Sequence, residues 1–194
     1  KCSYHQDRLW FIDQFESGNL YASSPVYHNI PVIAAIEGSL DIAKLESCLR
    51  KLVLENEILR MRIKDTDGVP SRYLSGLPDI RISVNKSLYG MSDSEWSSLS
   101  ASGCALLISE AKEPFNLGED SLLRVSVYAC SEQRHLLSIN IHHAIVDRVS
   151  CRLFLQSLFD AYTGNGLPEK KDSLPYAAFS RWQLDLSRDV LGYH

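Results

Sequence analysis

The stretch Ser138–Ser150, Ser-Ile-Asn-Ile-His-His-Ala-Ile-Val-Asp-Arg-Val-Ser, constrains the fold of this chain more than any other. The mostly apolar run from Leu136 to Ile141 predicts a buried strand. Beyond Asp147, the residues Val149, Leu153, Phe154, Leu158, Ala161 and Tyr162 recur at helical spacing until Gly164-Asn165-Gly166 and Pro168 end them. Between that strand and that helix stand His142, His143 and, four residues later, Asp147. Such a junction holds its exposed groups from both sides, which suits it to carry function.

Successive side chains of an extended segment point to opposite faces, so His142 and His143 look into one pocket only if the chain turns between them. That argues against a shared metal. No Cys or His pair elsewhere offers a third and fourth ligand at a recognisable spacing. Taken alone, the pair favours hydrogen-bonding duties in a polar core over chemistry. Asp147 falls at the start of the helical pattern, where free backbone N–H groups favour a carboxylate.

The rest of the chain predicts alternating helices and strands. Leu9, Trp10, Ile12 and Phe15 form a helical stripe within Gln6 to Phe15, and the β-branched stretch Val26 to Ile36 reads as a strand. His28, within it, reads as a surface or hydrogen-bonded residue. Ser39 or Asp41 caps a helix with the core stripe Ile42, Leu45, Leu49, Leu52 and Val53. Ile58 to Ile63 alternates as a strand with Arg60 and Arg62 on its polar face, and Thr66-Asp67-Gly68 predicts a hairpin to Pro70–Leu74. Ile80 to Val84 reads as a further strand, and Asp93 to Ala111 as one helix capped by Ser92. Leu122 to Cys130 reads as the strand turned by Ser131-Glu132-Gln133 into Arg134 to Ile141; Glu169 to Ser173 is a polar loop, and Pro175 to Leu186 begins a last helix containing Trp182.

A chain of 194 residues that is 45% hydrophobic can bury a core of domain or large-lobe size. Its net charge of −4 with scattered Lys and Arg offers nucleic acid no basic stripe, and no apolar run approaches the roughly 20 residues that span a bilayer. The five cysteines lie far apart, with Cys48 and Cys151 inside helical patterns, so they read as reduced, buried thiols of a cytoplasmic protein. Lys1 in place of Met, without a secretory pattern behind it, predicts a piece of a larger protein.

His142-His143-Ala144-Ile145-Val146-Asp147-Arg148 resembles the HHxxxDG signature of condensation domains in nonribosomal peptide synthetases, which are chloramphenicol acetyltransferase-like acyltransferases. Other landmarks follow the family's order. Ser3-Tyr4-His5-Gln6-Asp7-Arg8-Leu9-Trp10-Phe11-Ile12 is similar to the opening SxAQxRLWxL, and Tyr27-His28-Asn29-Ile30-Pro31 to YNIP. Glu55 to Ile63 resembles RHExLRTRF, Glu113 to Arg124 the PFDLxxGPLLR stretch, and Tyr176 to Gln183 YxDFAxWQ. The wording of the first stretch and of the histidine turn is similar to condensation domains fused to fungal highly reducing polyketide synthases of the lovastatin nonaketide synthase type.

The resemblance implies an α/β (α+β) chloramphenicol acetyltransferase-like lobe, a mixed or antiparallel sheet packed with helices, spanning residues 1–194 as the N-terminal half of a two-lobed domain. It implies no metal and no cofactor bound by the lobe itself. Acyl or peptidyl carrier protein domains would bring thioesters on phosphopantetheine arms, and the second lobe and other synthase domains would be the remaining partners. His143 is the implied catalytic residue, as a base or a positioner of the tetrahedral intermediate. His142, Asp147 and Arg62 support it, with Arg62 clasping Asp147 in an ion pair that keeps a partly buried carboxylate ionised.

Among the departures from the motifs, Arg148 stands for Gly, and Asn56 for His and Met61 for Thr fall in or beside the strand that should brace the turn. The resemblance implies a reaction that joins a carrier-bound acyl thioester to an amine in a tunnel between the two lobes. A guanidinium at position 148 is expected to block that tunnel, compete for Asp147 or displace His143, so amide-forming activity is expected to be altered, weakened or lost. The alternative is a non-catalytic module that docks carrier proteins or gates their acyl chains; a weaker third reading is a stand-alone, coenzyme A-dependent acetyltransferase relative.

Overall fold

The fold is described by a computed structural model, which covers residues 1–20, 26–76, 80–102, 105–166 and 174–191. Along the chain lie α1 (Tyr4–Glu16), β1 (Asn29–Glu37), α2 (Ile42–Glu55), β2 (Met61–Thr66), β3 (Val69–Leu74), β4 (Ser83–Asn85), α3 (Asp93–Ser102), α4 (Ala105–Ala111), β5 (Leu123–Ser131), β6 (Arg134–His142), α5 (Arg148–Thr163) and α6 (Tyr176–Leu191). Four strands form one mixed sheet in the order β1-β6-β5-β4, antiparallel except for the parallel β4–β5 pair, while β2 and β3 make a separate hairpin. The expected α/β architecture is thus present.

Strand β6 lies at the centre, between β1 and β5, and its pleat divides the packing. Leu137, Ile139 and Ile141 join Val125 and Val127 of β5 in a core with Leu45, Leu49, Leu52 and Val53 of α2 and Phe154 and Leu158 of α5. Leu136, on the other face, packs with Trp96, Leu107, Tyr128 and Cys130. The continuous apolar run of the sequence is therefore a strand buried on both faces. Ser138, Asn140 and His142, which alternate with the apolar set, are buried as well.

Buried polar groups of this kind need partners. Asn29 Nδ2 donates to the carbonyls of Ala111 and Glu113, at 2.9 and 3.0 Å, and Asn140 Nδ2 donates to Ala111 at 3.3 Å. The two amides thereby satisfy carbonyls at the C-terminal end of α4, which has no further helical turn to bond them. Through them α4 is fixed to the strands that deliver the histidines.

Several boundaries differ from the sequence reading. Glu57–Arg60 is a 3-10 turn rather than the start of a strand, because Asn56 ends α2 by bonding back to Leu52 through both its backbone N–H and its side chain; β2 starts at Met61. The hairpin turn is as expected, with Asp67 and Gly68 both at positive φ. The expected strand at Ile80–Val84 shrinks to Ser83–Asn85, with Ile80 and Ile82 buried as core anchors just before and at its edge. The helix expected over Asp93–Ala111 is described as α3 and α4, either side of residues 103–104. Cys2, Cys130 and Cys151 are buried, reduced thiols and Cys48 is half-buried, while Cys104 and the Glu169–Ser173 loop lie outside the described residues. Burial, helped by the charge of Asp7, pushes the Cys2 thiol up to about 11, which leaves it unreactive at neutral pH. Among the described residues no helix is long and apolar enough to cross a membrane.

Candidate functional site

The two adjacent histidines part company at the end of β6. His142 is 2% exposed, its ring edge-on to those of Phe115 and His28 at centroid distances of 5.9 and 6.0 Å. Its Nδ1 accepts from the backbone N–H of Ala144 at 3.1 Å, so its proton sits on Nε2. Burial first, and then the imidazoles of His28, His143 and His5, push its pKa down to about 3. A ring that stays neutral and is spent holding the next turn is a structural element.

His143 is half-buried in the turn, and its backbone N–H donates to the His28 carbonyl at 2.8 Å. Its side chain lines a cleft of about 280 Å³ together with His5, Ile58, Ile145, Asp147 and Tyr176. The Nδ1 atom of His143 lies 3.3 Å from Nε2 of His5, with the rings 5.0 Å apart and tilted by 61°. Among the described residues Nε2 of His143 makes no hydrogen bond within the chain.

Helix α1 holds the turn from the other side. Ser3 and Gln6 form a reciprocal capping box, and Gln6 Nε2 also donates to the Ala144 carbonyl at 3.1 Å and lies 3.2 Å from the Met61 sulfur. Ser3 Oγ lies 2.9 Å from the Tyr176 hydroxyl, which brings α6 to the same cleft. Met61, a departure from the motif, is thus part of the brace. The spacing Ser3-x-x-Gln6 is a capping signature that the sequence carries locally. The meeting of His5 with His143, 138 positions apart, has no local signal.

Asp147 caps α5. Its carboxylate accepts from the backbone N–H and hydroxyl of Ser150, at 2.7 and 2.6 Å, while the Asp147 N–H donates back to the Ser150 hydroxyl at 2.8 Å. These Ser150 hydrogen bonds hold its carboxyl below the usual carboxylate range. The expected clasp with Arg62 is not formed. Arg62, on β2, makes no ion pair or hydrogen bond among the described residues, and its Nε is buried without a partner. The physical reason is that Asp147 is already satisfied by the helix terminus it starts. Arg148 is exposed as the first residue of α5 and makes no ion pair with Asp147. Among the described residues, no three His, Cys, Asp or Glu side chains come together as metal ligands.

A family model described as Condensation domain matches residues 1–190. Gramicidin S synthase 2 of Brevibacillus brevis is 30% identical over 178 residues, covering 92% of this chain but 4% of the relative. Among solved structures, the X-domain in complex with OxyB from teicoplanin biosynthesis superposes with a TM-score of 0.76 at 22% identity, covering 97% of this chain and 38% of that one. The starter condensation domain of rhizomide synthetase RzmA does so at 0.74 and 20%, covering 96% of this chain and 43% of that one. At such identities the two structures speak for the fold, the chloramphenicol acetyltransferase-like α/β fold.

Proposed function

The chain belongs to the condensation-domain family of nonribosomal peptide synthetases, and on that premise we propose that it is the first of two lobes that join a carrier-bound acyl thioester to an amine. The observation that carries this reading is the unequal pair of histidines: one sealed and neutral, the next turned into a cleft with a ring nitrogen free. The chain spans 4% of that curated relative and under half of each of the two solved structures; in this reading a second lobe forms the far wall of the cleft. Carrier domains and the second lobe are its partners in this reading, and the phosphopantetheine arm arrives as part of the substrate.

In the reaction the amine lone pair attacks the thioester carbonyl carbon, forming the C–N bond and a tetrahedral intermediate. His143 Nε2 takes the proton that the ammonium loses. The C–S bond then breaks, and the departing thiolate receives that proton back from the imidazolium. No residue of the chain is acylated, so Ser138 and Ser150 keep their structural duties.

The test is single-turnover amide formation in the intact synthetase, followed by mass spectrometry of the acceptor carrier. His143→Ala is expected to lower the rate by about 10²–10⁴-fold while carrier binding is retained. An unchanged rate would remove His143 from the chemistry.

A docking or gatekeeping role is the second reading. It is favoured by Arg148, which stands exposed at the start of α5, beside the cleft-lining Asp147, and by the likeness to an X-domain that has been seen in complex with another protein. Arg148→Gly separates the two. A gain in amide formation marks the guanidinium as the obstruction; no amide formation by either form, with carrier binding intact, favours docking.

A further inference from the structure

We propose that His5 is a positioning residue for His143: it accepts a hydrogen bond from Nδ1–H of His143 at its own Nε2, and so leaves Nε2 of His143 unprotonated toward the cleft. This rests on the condensation reading above, in which that nitrogen must take a proton.

The contact is held by the backbone of both partners. His5 sits between Ser3 and Gln6, whose reciprocal capping box fixes the first turn of α1. Gln6 ties that turn to the Ala144 carbonyl, one residue beyond His143, and Ser3 ties it to Tyr176. His143 is fixed independently through its N–H to the His28 carbonyl. With both backbones pinned, the two rings are held within reach of each other, and their nitrogens lie 3.3 Å apart.

Which nitrogen of an imidazole carries the proton is set by the bond that the other one makes. A ring free in water favours the proton on Nε2, which would present a donor to an incoming amine. An acceptor placed at Nδ1 reverses that preference; at metal-bound histidines, loss of the partner that orients the ring costs about 10–100-fold in affinity or activity. His5 is largely exposed, so water reaches its second ring nitrogen. Burial and the neighbouring His143 lower the pKa of His5, so its ring stays neutral and keeps the lone pair that the acceptor role demands. In the motif that the first stretch resembles, this position is Ala.

The test is the tautomer of His143 read from imidazole ¹⁵N chemical shifts in the full chain at pH 7.5, for the wild type, His5→Ala and His5→Gln. The expected result is a proton mainly on Nδ1 in the wild type, mainly on Nε2 in His5→Ala, and restored to Nδ1 in His5→Gln, whose amide oxygen can accept. A wild-type proton on Nε2, or a tautomer indifferent to His5→Ala, would overturn the proposal. In the intact synthetase His5→Ala should lower kcat about tenfold with KM unchanged. Since the tautomer is read without turnover, a protein that shows the shift yet forms no amide supports the His5 role while refuting the condensation reading.

Discussion

His142 gives the fold a measurable pH signature. Its pKa is pushed from 6.5 to about 3, so between those values the unfolded chain binds a proton that the folded chain refuses. Stability from this group is therefore complete above pH 6.5 and falls by about 1.4 kcal/mol per pH unit on acidification through that window. His5, His28 and His135, also lowered by burial, add to the loss in the same direction. Urea denaturation at pH 7.5 and 5.0 measures it, and His142→Phe is expected to flatten the slope. The same change removes the acceptor of the Ala144 N–H, at a cost of about 1–3 kcal/mol at pH 7.5. Gln6→Ala, which cuts the bond from α1 to the Ala144 carbonyl, should slow amide formation and leave the far side of the sheet intact.

At the level of elements, α5 begins where its cap requires, and the cap decides what Asp147 can do. Asp147→Ala is expected to destabilise the chain by about 1 kcal/mol, the usual value of a lost N-cap. A double-mutant cycle of Asp147→Asn with Arg62→Met should show coupling below about 0.5 kcal/mol. Coupling of about 3 kcal/mol or more would instead reveal a buried ion pair between them. The sequence reads α2, β5, β6 and α5 well because each carries a long apolar pattern, although Val149 and Leu153 of the α5 stripe are exposed and Cys151, Phe154 and Leu158 are the residues it buries. It misreads Ile58–Arg60 because alternation over six residues also fits a 3-10 turn leading into a strand. Within the site, His142, His143 and Asp147 are legible from strand alternation and from the start of a helical pattern. The absent clasp is not, since a carboxylate's choice between a helix terminus and a distant guanidinium is made by tertiary geometry. His5 is invisible for a related reason: only the fold brings α1 against the end of β6.

On the scale of the whole molecule, the central strand of a four-stranded sheet carries an apolar face against α2 and α5 and a polar buried face toward α4. At its end the pleat assigns adjacent imidazoles to opposite fates. The account stands on that division, a sealed His142 and an available His143, and site-resolved acylation of histidines by diethyl pyrocarbonate in the native synthetase tests it directly. The prediction is that His143 is modified early, that amide formation is lost in step with it, and that His142 stays unmodified until the protein is unfolded. Modification of His142 as fast as His143, or amide formation that survives full modification of His143, would contradict it.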